Sequence, residues 1–152
     1  MLGRPRVTRD VDVLVLLDSE RWPGFLSAGE AFGFVPRLSD ALAFAGQRRV
    51  LLVHHRPTAL DVDILLGTLP FEKEAVSRAV LTPLGGLRLP IVTPEDLIVM
   101  KAVAHRGRDL ADVESVLDAH PRLDRKRVRR WVRAFSEAME MPEILDDLER
   151  AL

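Results

Sequence analysis

Four aspartates set in two pairs carry the clearest chemical potential in this chain. Asp10 and Asp12 stand at the entrance to an apolar run, residues 11–17, and Asp61 and Asp63 recur in Leu-Asp-Val-Asp-Ile-Leu-Leu at 60–66. Both runs have the β-branched and aliphatic content of buried strands. Strand side chains alternate between faces, so each Asp-x-Asp projects both carboxylates from one side, a few ångströms apart. Like charges that close repel unless a cation or a shared proton separates them. A hard divalent ion such as Mg²⁺, which takes oxygen ligands, suits that position. Acids at a strand end facing water are the plainer alternative. Acids are depleted in strands, however, and packing does not explain two apolar strands with the same alternation. If the strands are neighbours, three or four carboxylates converge on one patch, the arrangement of a one- or two-metal site for phosphoryl or nucleotidyl transfer.

Other residues invite chemistry less strongly. His54-His55 suggests a metal pair, but adjacent strand residues point to opposite faces and cannot easily share one ion. Trp22 and Phe25 could stack a base, although core packing accounts for them more simply. Gly85-Gly86 lacks the following lysine or helix start of a phosphate loop and reads as a hairpin turn. Arg106, Asp109 and Asp112 have the spacing of a salt bridge linking helices. Residues 122–133 hold seven cations in twelve positions: Arg122, Arg125, Lys126, Arg127, Arg129, Arg130 and Arg133. That density reads as a solvated face or as an RNA-backbone or protein contact. The acidic segment that follows, 137–149, offers internal neutralisation instead.

Positioning these groups falls to a series of short elements. A helix is expected after the first strand, with Trp22, Phe25, Leu26, Gly29 and Phe32 at helical spacing, Pro23 in its first turn and Gly33 as its stop. Residues 38–45 form a short apolar segment closed by Gly46. Residues 49–54 read as a strand joined through Pro57 to the strand 60–66, and the tight connection favours an antiparallel pair. This would put Asp61 and Asp63 in the middle of a sheet. A helix over 71–81, with Phe71, Ala75, Ala79 and Val80 inward, leads to a turn at 82–86 and a strand at 87–92. Thr93-Pro94-Glu95-Asp96 has the cap, proline and acids of a helix start. That helix runs to about His105, with Leu97, Ile98 and Met100 or Lys101 turned inward. The next covers 109–119, with Leu110, Val113, Val116 and Leu117 apolar. Val128, Trp131, Val132 and Phe135 then mark an amphipathic helix, and Pro142 opens a last one.

Several of these residues together resemble a known family. Gly3-Arg4-Pro5-Arg6-Val7-Thr8-Arg9-Asp10-Val11-Asp12 is similar to the Arg-x-Thr-x-Asp-apolar-Asp signature of minimal nucleotidyltransferases of the polymerase β-like superfamily, in particular the AbiEii-type toxin and related bacterial subgroup. Val62-Asp63-Ile64 fits that family's third carboxylate, and Asp61 is the alternative. Thr93-Pro94-Glu95-Asp96-Leu97-Ile98 with Lys101, Arg106, Asp109 and Asp112 resembles its helical segment. The resemblance covers residues 3–117 in pieces. It implies NMP transfer from an NTP to a hydroxyl or phosphate acceptor, with two Mg²⁺ ions at Asp10, Asp12 and Asp63 (or Asp61). It further implies Arg6 and Thr8 near the phosphates with Arg106 and Asp109, and Lys101 stabilising charge as pyrophosphate leaves. The family's Gly-Ser or Gly-Gly turn, about ten residues before the Asp pair, has no counterpart in residues 1–9. An upstream native start or a degenerate member are the expectations this raises. An inactive binding module of the same fold, or an antitoxin or partner-binding role, is the alternative function.

Length and composition set the frame. At 152 residues, 47% hydrophobic and 30% charged, the chain suits one globular domain. The expected class is α+β: a core over 1–92 with a small mixed sheet and flanking helices, then C-terminal helices over 93–152. A formal charge of −1 gives no global attraction to nucleic acid or membrane, so any such affinity is local. The absence of cysteine excludes disulfides, thiolate metal sites and a cysteine nucleophile. No apolar run reaches transmembrane length, and a cytoplasmic protein is expected. The NTP, the acceptor and the oligomeric state are not encoded in any motif.

Overall fold

A computed structural model describes residues 10–152, which fall into two compact units, 10–77 and 78–152. The class is α+β, as the sequence predicts. The first unit holds strands β1 (Asp10–Val15), β2 (Phe34–Pro36), β3 (Val50–His55) and β4 (Leu60–Leu66), with helices α1 (Trp22–Glu30), α2 (Ala41–Arg48) and α3 (Pro70–Arg78), the last residue of α3 falling in the second unit. The sheet is mixed, in the order β1-β4-β3-β2. β3 and β4 are antiparallel, as their short connection requires, whereas β1 runs parallel to β4.

One face of this sheet is the core. Leu51, Val53, Ile64 and Leu66 from β3 and β4 meet Ala41 and Ala45 of α2, with Val15, Trp22, Leu26, Phe34 and Val62 packed around them. Trp22 therefore belongs to the core, and its indole N–H donates to the Leu17 carbonyl at 3.0 Å. Phe25 stays more than a third exposed. Helix α2 passes through Gly46, contrary to the expected stop there. It ends at Arg49 instead, whose φ of 57° is the left-handed cap usually given to glycine. The Arg49 side chain is held at that position by Thr68 Oγ1 (3.0 Å) and Glu72 (2.9 Å).

The second unit contains the hairpin β5 (Val80–Leu84) and β6 (Leu87–Ile91), then helices α4 (Pro94–Ala104), α5 (Gly107–Ala119), α6 (Arg125–Met139) and α7 (Pro142–Ala151). The expected helix over 71–81 stops at Arg78, and Val80 opens a strand with its side chain exposed. The turn is confined to Gly85-Gly86, both at positive φ, as a two-residue turn joining right-twisted strands requires. Thr93 caps α4 by accepting from the Asp96 N–H at 3.2 Å, with Pro94 at its first position. The helical core comprises Ile98, Val99 and Ala102 of α4, Val113, Val116 and Leu117 of α5, Val128 and Val132 of α6, and Ile144 and Leu148 of α7. No helix among the described residues is long and apolar enough to cross a membrane.

Candidate functional site

The parallel register between β1 and β4 pairs Asp10 with Asp61 and Asp12 with Asp63. Residues paired across adjacent strands point to the same face, so all four carboxylates share the face opposite the core. The register extends outward across the sheet. His54 lies opposite Asp61 and Val35 opposite His54, forming one row with Asp10. Leu52 lies opposite Asp63, and the Arg37 N–H donates to the Leu52 carbonyl at 2.9 Å, forming the next row with Asp12. Two rows of a four-stranded sheet thus gather four acids, an imidazole and a guanidinium. The same strands continue as Leu14, Leu65 and Val50 on this face, so the polar site ends at an apolar margin.

The two cations are already engaged. Arg37 Nη1 donates to Asp61 Oδ2 at 3.1 Å, and Arg37 Nη2 donates to Asp63 Oδ1. His54 Nδ1 lies 2.7 Å from Asp61 Oδ1. The His54 hydrogen bond, together with the charge and hydrogen bond of Arg37, outweighs the opposing effect of burial and holds the Asp61 carboxyl below its ordinary range. Both Asp61 oxygens are therefore committed to side chains, while Asp63 is held through Oδ1. His55 points to the other face, with Nδ1 2.6 Å from Thr58 Oγ1, Nε2 3.1 Å from the Phe32 carbonyl and its ring 4.5 Å from that of Phe34. The opposed histidines agree with strand alternation.

The carboxylate oxygens are hard donors that suit hard ions such as Mg²⁺ or Mn²⁺. Among the described residues, no three His, Cys, Asp or Glu side chains are gathered closely enough to hold a metal as they stand. Arg37 spans two of the four acids. Neither composition nor spacing singles out Arg37, which follows Val35-Pro36 without any motif. Its position on the site is a product of long-range register. Arg6 and Thr8 lie outside the described residues.

Lys101, Arg106 and Asp109 belong to the second unit and form a network of their own. Lys101 Nζ donates to Asp109 Oδ1 (3.2 Å) and Asp112 Oδ2 (2.9 Å), and Arg106 donates to both oxygens of Asp109, one at 3.2 Å. Asp109 is fully buried. Burial raises its pKa, but the hydrogen bonds of Arg106 and Lys101 more than reverse this and leave it low. The link between α4 and α5 is made by Lys101 rather than by Arg106, which pairs with Asp109 three positions on at the start of α5.

The basic stretch of α6 is partly internal. Arg127 donates through Nε (2.9 Å) and Nη2 (2.8 Å) to Oδ1 of Asp96, a fully buried carboxylate that also takes Arg78 Nε (3.3 Å) and Thr93 Oγ1 (2.9 Å). Arg129 pairs with Glu149 at 2.9 Å, and Arg125 donates to the Leu152 carbonyl. Arg122, Lys126, Arg130 and Arg133 remain exposed, with Arg130 5.2 Å from the Trp131 ring.

Comparison with known proteins gives one family. The model described as nucleotidyl transferase AbiEii toxin, type IV toxin–antitoxin system, matches residues 1–151. No curated protein matches the chain.

Proposed function

Since the chain belongs to the AbiEii nucleotidyltransferase toxin family, we propose that it moves a nucleoside monophosphate from an NTP to an acceptor, with Asp10, Asp12 and Asp63 as ligands for Mg²⁺. The observation carrying this is the in-register parallel pairing of β1 and β4, which puts both Asp-x-Asp pairs on one sheet face. In the transfer, an acceptor oxygen forms a bond to the α-phosphorus. The bond from that phosphorus to the bridging oxygen breaks, and pyrophosphate leaves with the electron pair. Bound Mg²⁺ would withdraw charge from the phosphates and make the acceptor oxygen more nucleophilic.

The chain's own groups divide the remaining work. Asp10 and Asp12, exposed at the start of β1, present two oxygens to the incoming NTP–metal complex. Asp63 stands beside Asp12 and can take the acceptor's proton. Asp61, with both oxygens occupied by His54 and Arg37, supports the site from the next row. Arg6 and Thr8 are the proposed phosphate contacts. Lys101, fixed by Asp109 and Asp112, is the proposed cation for the charge on departing pyrophosphate, with Arg106 and Asp109 near the phosphates. The exposed cations of α6 are the proposed RNA or protein contact for the acceptor.

Asp12→Asn is expected to abolish Mg²⁺-dependent NTP binding, measured by calorimetry, while the far-UV circular dichroism stays unchanged. NTP binding of wild-type strength in that variant would remove the carboxylates from the reading.

A further inference from the structure

We propose that the outer edge of β1 takes an added strand from a partner protein, an extended segment in which Lys or Arg alternates with aliphatic residues. Nucleotide transfer is not required for this docking, which uses the strand's edge and its two faces.

The two margins of the sheet differ. β2 is three residues long and ends in Pro36, two features that blunt an edge. β1 has six residues, no proline and, among the described residues, β4 as its one neighbour. The Gly67 N–H donates to the Val15 carbonyl at 2.8 Å. In a parallel ladder alternate residues bond the same neighbour, so Val11 and Val13 also turn their peptide groups to β4. The N–H and C=O groups of Asp12 and Leu14 then point outward, and these are the groups that strand addition uses.

The side chains define what such a strand must carry. Val11 and Val13 lie beside Val62 and Ile64 on the core face, yet they are 43% and 36% exposed, so the apolar rows of the core run out uncovered at β1. Asp12 is exposed on the opposite face, in the row of Asp63. An added strand sets its own alternate residues against these two faces. Cations beside Asp12 and aliphatic side chains beside Val11 and Val13 form the complementary pattern. A second copy of β1 does not supply it. Paired in register, two copies crowd their aspartates on one face, and slipped by one residue they turn aspartates against valines.

The test adds blocked peptides to the full chain and reads amide exchange by NMR. Acetyl-Val-Lys-Val-Lys-Val-Lys-amide, at about ten times its Kd, is expected to slow exchange at Asp12 and Leu14 roughly tenfold and to leave Val13 and Val15 nearly unchanged. Its glutamate counterpart, and the clustered peptide acetyl-Lys-Lys-Lys-Val-Val-Val-amide, are expected to protect neither amide. Leu14→Pro removes an outward N–H while sparing the ladder to β4, and it is expected to abolish peptide binding with unchanged far-UV circular dichroism. If that variant fails to fold, the three peptides on wild type still decide. Equal protection by the clustered or the acidic peptide would overturn the inference, and so would no protection by any of the three. Slow exchange at Asp12 and Leu14 in the chain alone would overturn it too. Protection that grows with protein concentration would then assign the edge to a second copy, and protection independent of concentration would assign it to residues 1–9.

Discussion

Glu72 illustrates how much a single side chain can hold together in a unit of this size. It is 5% exposed, accepts from the Thr68 and Leu69 N–H groups at 2.6 and 2.8 Å, and pairs with Arg49. Burial alone would raise its pKa, yet Arg49 and the two amides outweigh burial and hold it below its ordinary value. A depressed folded pKa contributes stability that is fully present above the unfolded value. That stability is lost as pH falls through the folded value, beginning near pH 4.3. Glu72→Gln should therefore cost about 1–3 kcal/mol at pH 7 in urea unfolding. It should also flatten the acid limb of the stability profile, and an unchanged limb would show that Glu72 is not the group responsible. Asp96 makes the same point in the helical unit. Arg127→Ala leaves its buried carboxylate with only Arg78 and Thr93, an expected loss of about 3 kcal/mol. In the sequence, Asp96 shows only as a first-turn acid and Arg127 only as one of seven cations. Their pairing spans 31 residues and is invisible to local spacing.

Strands and helices divide along the same line. The Asp-x-Asp strands, the β3–β4 connection, the Thr93-Pro94 cap and the amphipathic faces of α5 and α6 were legible because each is set by residues within a few positions of one another. β2 was not, since Phe34-Val35-Pro36 has three residues and gains its identity from pairing with β3. The extent of α2 was hidden because its cap is Arg49, a non-glycine residue in the left-handed conformation whose side-chain partners, Thr68 and Glu72, lie 19 and 23 positions away. Gly33 shows the opposite case, a turn legible for a local reason, although α1 itself ends three positions earlier at Glu30. Its φ is +86°, its carbonyl accepts from Arg56, and an added Cβ would come within 2.8 Å of Pro57 Cδ. Gly33→Ala is expected to destabilise by about 1–2 kcal/mol in thermal or urea unfolding. A neutral substitution there would mean the turn before β2 is free to rearrange.

At the level of the molecule, the candidate site is a product of topology. Two Asp-x-Asp pairs separated by 51 positions become a site only through the parallel register of β1 with β4, and no sequence signal fixes that register. Charge distribution behaves similarly. With Arg125, Arg127 and Arg129 of the seven cations at 122–133 engaged internally, RNA binding by this stretch is expected to be weak. Its log–log salt slope should be no steeper than about −3, measured by fluorescence anisotropy. A steeper slope would place phosphate contacts elsewhere. The sheet order has a consequence of its own. Among the described residues, β4 is hydrogen-bonded on both sides, whereas β1 is a margin bonded only to β4. Asp61 and Asp63 are thus anchored in the strand that opens last, and Asp10 and Asp12 in one that frays first. Amide exchange should report this directly. Protons of residues 10–15 should exchange much faster than those of 60–66, and Mg²⁺ with nucleotide should slow the former selectively. The site would then be half rigid platform and half closing edge, completed by its own ligand.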